Sequence, residues 1–293
     1  PTQAEEVDPG FARHTADEIP TIEDAGTRLT LIAGSSDGLV SPVKTFSDMV
    51  YADIVLQANN NITTNGTFGG GDLTLLVNRS LTLQTKNDLA SGIIDVSAIH
   101  LKTTNASITI QAGTNATGAF KGDVSLGAVT TQTAGNVTVS SGGTGAITTL
   151  SGNITTAAGK VQFDGNVVLG ASVEVGTTGG NISFSGKLDG TSAGNQTLGL
   201  TAGTGNVVFT GAVGSGTRVG AITINSATDV TAAAVTAASM ALPPSCNTFR
   251  PAADASDWLV AIMPRLPTAG ERVPYRLPKG RSPETVEGVD TTG

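Results

Sequence analysis

Along the middle of the chain, apolar residues alternate with Thr, Ser or Gln in short runs. Leu73-Thr74-Leu75, Leu81-Thr82-Leu83-Gln84-Thr85, Ser107-Ile108-Thr109-Ile110-Gln111, Asn136-Val137-Thr138-Val139 and Ala221-Ile222-Thr223-Ile224-Asn225 share this form, and Asp53-Ile54-Val55-Leu56-Gln57 and Ile62-Thr63-Thr64 are related to it. A period of two marks a half-buried strand, so one face of each run looks inward and the other outward. Val207 and Ile222 fall on inward positions and Thr223 on an outward one. Gly, Asn or Asp closes each run, and these residues accept the backbone conformations of tight turns. The alanine-rich stretch Ala232–Met240 is the single place where a helical period is readable, although Thr and Val interrupt it.

The runs repeat. A Gly-Asn or Gly-Asp pair precedes a strand at Gly71-Asp72, Gly122-Asp123, Gly135-Asn136, Gly152-Asn153, Gly165-Asn166, Gly180-Asn181 and Gly205-Asn206. From residue 135 to residue 205 the intervals are 17, 13, 15 and 25, too irregular for a strict hexapeptide or nonapeptide helix. A short coil cannot bury its own apolar side, whereas stacked coils share one continuous core. The pattern therefore predicts an all-β fold: a β-solenoid, expected as a right-handed parallel β-helix, with irregular N- and C-terminal segments. Coils of about 20 residues, eight to ten in number, would fill residues 52–240 at the usual strand separation. Phe163, Phe184 and Phe209 are its bulky core residues, while Thr and Asn line the outside or stack as polar ladders. A sandwich or barrel would space its turns about 8–12 residues apart and use more aromatic residues.

Proline divides the chain into segments. Four of the twelve prolines lie at or before Pro42, eight lie from Pro243 onward, and the 200 residues Val43–Leu242 contain none. Proline lacks the N–H that a central strand must donate, so this long proline-free stretch suits a ladder. Residues 1–51 form an acidic segment, 52–240 the repeat region, and 241–293 a Pro- and Arg-rich tail that reads as poorly ordered, with Asp257–Met263 as one short packed element.

Composition narrows the function. Charged residues make up 14 % of the chain and aromatics 4 %, and the formal net charge is −8. That charge is concentrated at the front: residues 1–50 hold nine acids and three bases, while residues 71–242 hold eight and seven. Without a basic stripe, nucleic-acid binding is not expected. No apolar run is long enough to span a bilayer. Cys246 is the single cysteine, which removes a disulfide framework and a thiolate cluster. The chain starts at Pro1 with no leader pattern, which reads as a piece of something longer.

Chemistry-bearing residues are few. His14 and His100 are the two histidines, and in Ile99-His100-Leu101-Lys102 the alternation points His100 outward, as an exposed strand residue and not a base or ligand. Asp72, Asp88, Asp95, Asp123, Asp164, Asp189 and Asp229 are the carboxylates a β-helical enzyme would draw on. Most adjoin Gly or Asn, where turns want them, while Asp88 (with Lys86) and Asp189 (with Lys187) have a nearby base. No catalytic, cofactor-binding or metal-ligating residue is assigned, and no cofactor is expected.

The run Gly194–Val213 resembles the repeat unit of bacterial β-strand-repeat surface proteins, similar to filamentous-haemagglutinin and autotransporter-passenger solenoids, as does Ala52–Thr63. That resemblance, over residues 52–240, implies export, attachment at a cell surface, and adhesion or a structural coat. Glu18-Ile19-Pro20, Leu29–Gly34, Ser41–Thr45 and Tyr51–Ile54 resemble the middle of pirin-like bicupin proteins; the metal site of that family lies in a region this sequence lacks, and His14 matches none of its ligands. The leading expectation is thus a non-catalytic secreted or cell-surface module, whose partners would be glycans or a neighbouring cell surface and whose ends invite end-to-end self-association. A polysaccharide-acting lyase or hydrolase on the same fold, or a fragment of a pirin-like metalloprotein without its metal site, are the alternatives.

Overall fold

The computed structural model describes residues 53–58, 61–64, 71–86, 92–114, 121–244 and 246, together with the strands Ala12–Arg13, Leu29–Ala33 and Thr248–Pro251. Among these the chain is all strand and turn, without an α-helix. Three sheets of 11, 6 and 8 strands, here called A, B and C, run the length of the stack. From Ile54 onward consecutive strands never pair with each other; each pairs with its counterpart one coil away. Coil 1 is Ile54–Ala58 in A, Ile62–Thr63 in B and Asp72–Val77 in C. Coil 2 repeats this with Leu81–Thr85, Ile94–Val96 and His100–Thr104, and coil 3 with Ile108–Ala112, Val124–Leu126 and Val129–Gln132. Every ladder between strands is parallel, as the solenoid reading requires. A single antiparallel bridge joins Gly122 and Gly142.

The coils are longer than expected, and the complete ones number six, not eight to ten. Equivalent residues of neighbouring coils lie 27, 27, 29, 24, 21, 25 and 23 positions apart from coil 1 to coil 8. Six coils contribute a strand to all three sheets. In coils 7 and 8 sheet B shrinks to single bridges at Val213 and Val235. Three sides with three corners need more than about 20 residues once strands have their usual length of several residues. The same geometry explains the irregular Gly-Asn intervals, because the pairs mark different corners. Gly135-Asn136, Gly180-Asn181 and Gly205-Asn206 precede sheet A, Gly165-Asn166 precedes sheet B, and Gly152-Asn153 precedes sheet C. The helical period over Ala232–Met240 is overruled too: Asp229–Ala232 and Ala237–Ala241 are strands of A and C, and Val235 bridges in B. Sheet pairing sets conformation there, over the helix preference of alanine. Sheet A also takes in Leu29–Ala33 and Ala12–Arg13 before coil 1, and Thr248–Pro251 after coil 8.

Alternation within each strand builds the core as vertical rows. The first inward row of sheet A is Ile54, Leu81, Ile108, Val137, Val161, Ile182, Val207 and Val230, all fully buried. The second row includes Phe163, Phe184 and Phe209, whose rings stack at centroid distances of 4.9 and 5.2 Å with planes 15° and 10° apart. The core phenylalanines read from the sequence thus form one aromatic column.

Corners repeat as strictly as rows. In four successive coils an inward threonine at the end of the C strand, Thr103, Thr131, Thr156 and Thr177, donates its hydroxyl to the carbonyl of Ala106, Gly135, Gly159 and Gly180, at 2.5–2.7 Å. These threonines are almost wholly buried, and the bond removes the penalty of burying a hydroxyl. A Cβ built on Gly159 would lie 1.8 Å from the carbonyl oxygen of Gly135, and one on Gly180 would lie 2.1 Å from that of Gly159. The corner backbones touch, so only glycine fits there. The next residue closes the join from outside: Asn136, Asn181 and Asn206 each accept, through Oδ1, the backbone N–H of Lys160, Asn206 and Asp229 one coil on.

Ile222 is buried with its side chain in the core, and Thr223 is exposed beside it. Ile222→Asp should therefore lower unfolding free energy by several kcal/mol (about 3 or more), because the charge has no partner inside. Thr223→Asp should stay within about 0.5 kcal/mol of the parent in chemical denaturation; equal losses at both positions would show the strand faces to be assigned wrongly.

Candidate functional site

Among the described residues, the densest group of ionisable side chains lies on the outer face of sheet C, across coils 1 to 3. The strand His100–Thr104 turns Leu101 and Thr103 into the core, leaving His100 and Lys102 outside. Asp72 sits opposite His100 on the neighbouring strand. Its carboxylate accepts a hydrogen bond from Lys102 Nζ at 2.7 Å and lies 3.5 Å from His100 Nδ1. On the other side, His100 Nε2 and Thr130 Oγ1 are 2.8 Å apart. The hydrogen bond from Lys102 holds Asp72 below its ordinary carboxylate range against the opposing effect of desolvation, and the positive charges of Lys102 and His100 add to it. Partial burial, with help from Lys102, pushes His100 below 6.5, and Asp72 pulls the other way. His100 is thus outward, as read from the sequence, but about two-thirds covered and held from both sides.

A hydroxyl, an imidazole and a carboxylate in line have the order of a nucleophile, its base and the group that orients the base. The distances favour a different role. The carboxylate is bound most closely by Lys102, its approach to the imidazole is at the outer limit of a hydrogen bond, and all four side chains stand on a pleated strand face. The group works as a cross-coil tie, of the kind that opposite charges make between neighbouring strands. Members on neighbouring coils are 28 or 30 positions apart in the chain, and Asp72 and Thr130 are 58 apart, which hides the group from any reading of local sequence.

The other candidate carboxylates are dispersed, and Asp95, Asp123 and Asp189 hold backbone. Asp123 accepts the N–H of Ile147 at 2.9 Å, and Asp189 accepts those of Gly216 at 2.9 Å and Thr217 at 3.2 Å. Asp95 accepts both the N–H and the hydroxyl of Ser97. Asp164 binds Gln162 and Ser185, and the N–H of Asp229 reaches Asn206. Lys187, the base near Asp189, donates its backbone N–H to Asn166. Among the described residues no three His, Cys, Asp or Glu side chains converge on a point where they could hold a metal ion. Asp88 and His14 lie outside the described residues.

Sheet A presents a different surface. Its outward positions in coils 2 to 4 are Thr82 and Gln84, Thr109 and Gln111, then Thr138 and Ser140, in register. Gln57, Gln84 and Gln111 form an amide ladder: Gln57 Nε2 donates to Gln84 Oε1 at 2.5 Å, and Gln84 Nε2 donates to Gln111 Oε1 at 3.2 Å. At the corner leading into sheet A, Asn78 and Asn105 share a left-handed backbone (φ 63° and 57°), and Asn105 Nδ2 donates to Asn78 Oδ1. Polar ladders of the expected kind are therefore present, with glutamine the unforeseen member.

No family model, no curated protein and no solved structure matches this chain. Among the described residues no helix is long and apolar enough to cross a membrane.

The His100 surroundings set a signed expectation. The unfolded chain binds the imidazole proton more readily than the fold does, so stability should fall as pH drops from about 6.5 through the folded value. In an NMR titration Lys102→Met should raise the His100 pKa and Asp72→Asn should lower it further. Opposite signs would remove the tie as described.

Proposed function

We propose that the chain is a non-catalytic structural or adhesive module, exported and working at or outside a cell surface. The observation that carries this reading is the repetition of the same outward side chains, in register, on a continuous parallel ladder. Such a surface offers one weak contact many times over, and repeated weak contacts gain strength together without any deep site. The disposition of the acids supports it. A β-helical glycan hydrolase would bring two carboxylates to one substrate bond, whereas Asp95, Asp123 and Asp189 each bind backbone N–H groups, in coils 2, 3 and 6. The partners that fit are glycans or the surface of a neighbouring cell. End-to-end association of copies is the further way in which open ladder edges would be used.

The reading predicts a strong dependence on valency. The chain coupled densely to beads should bind bacterial or animal cells with an apparent affinity at least about 100-fold above that of the free monomer. Release of reducing sugar from a polysaccharide panel at a rate proportional to protein concentration would contradict it and favour an enzyme on the same fold.

A further inference from the structure

The three faces of the solenoid differ in charge. Sheet C carries Asp72, His100, Lys102 and Glu174 on its outer side, and sheet B carries Asp95 and Asp189. From coil 2 to coil 4 the outer side of sheet A carries none: its outward residues are hydroxyls and amides, and the first charge on it is Asp164 in coil 5; in coil 1 its outward Val55 is buried. Arg79 and Lys86 flank the strand Leu81–Thr85 at its corners, off the face. An uncharged face within a chain that places acids and bases on its other two sides suits a partner without charge.

Two further features narrow the partner. Hydroxyl and amide groups recur at every coil, so their spacing is the strand separation of roughly 4.8 Å, and a partner meeting several of them must itself repeat hydrogen-bonding groups at a similar interval. The amide ladder also fixes Gln84 between its neighbours. Each amide in it still keeps one N–H and one lone pair for an outside partner, and side chains already held in place lose less freedom on binding.

Building on the adhesive reading above, we infer that the outer face of sheet A over coils 2 to 4, centred on Gln84, Thr109 and Gln111, is a docking surface for an uncharged linear polysaccharide whose sugar units repeat along the coil stack. Hydroxyl groups of successive sugars meet successive rungs, and each contact is a neutral hydrogen bond of modest strength. Binding therefore depends on several rungs at once and little on salt.

The test uses the whole chain in sedimentation with insoluble cellulose and chitin, and in affinity electrophoresis through gels containing polygalacturonate. Binding to cellulose or chitin is expected, unchanged between low and high salt. It should weaken by at least about fivefold in Thr109→Lys and in Gln84→Ala/Gln111→Ala, since several rungs act together. Thr155→Lys, the matching change on exposed sheet C, should bind as the parent does. Thermal melts establish that each variant is folded, and the double alanine variant carries the test if the lysine variant is not. Preference for polygalacturonate, equal loss in Thr155→Lys, or no binding to either neutral polymer would overturn the inference. If dense beads of the same preparation still bound cells, the adhesive reading would stand without it; loss of both would remove the two together.

Discussion

Each coil of this protein is held by the next through a parallel ladder, and the strand separation of about 4.8 Å governs everything else. At that spacing a residue has its counterpart directly above and below, so any side chain must stack on whatever the next coil offers. Inside, this yields the unbroken aliphatic row from Ile54 to Val230 and the column of Phe163, Phe184 and Phe209. At the corner into sheet A it leaves no room for a Cβ on Gly159 or Gly180. Outside, it sets Gln57, Gln84 and Gln111 close enough to bond through their amides. One distance thus selects residue types at core, corner and surface.

Much of this was legible in the sequence, for a physical reason. Strand alternation is local, so Leu81–Thr85, Ile108–Ala112 and Val137–Ser141 can be read from a few residues each, and with them the inward side of Ile222 and the outward side of Thr223. The absence of proline pointed to a long ladder, and pairing is parallel throughout its strands. What could not be read is whatever depends on the cross-section. Gly-Asn pairs mark all three corners, so counting them as one per coil gives coils that are too short. The threonine staples were hidden because Thr131 and Thr156 look like any strand threonine until their hydroxyls are seen facing Gly135 and Gly159. A Thr three or four positions before a corner glycine is the signal that would have found them. Asp72, His100, Lys102 and Thr130 meet only because register brings three coils together.

The same architecture shapes what the surface does. Hydrogen-bonding groups on a pleated face act together or weakly, and the proposal of extended, repetitive partners rests on that. Carboxylates follow suit: Asp123 and Asp189 secure neighbouring backbone, and Asp72 ties two strands through Lys102. The stretch of the outer side of sheet A over coils 2 to 4 that carries no charge stands against the charged groups on B and C.

The central claim is that successive coils lie one strand separation apart in register, and a distance measurement addresses it directly. Spin labels placed at Thr82 and Thr231, in a Cys246→Ser background, occupy equivalent outward positions of sheet A in coils 2 and 8. Six separations place the two backbones about 29 Å apart. Pulsed electron paramagnetic resonance should give one narrow distribution around that value, widened by the label arms. A label at Thr138 in place of Thr231, two coils from Thr82, should move it to about 10 Å. Distances that do not grow with the number of coils would contradict the stacked ladder.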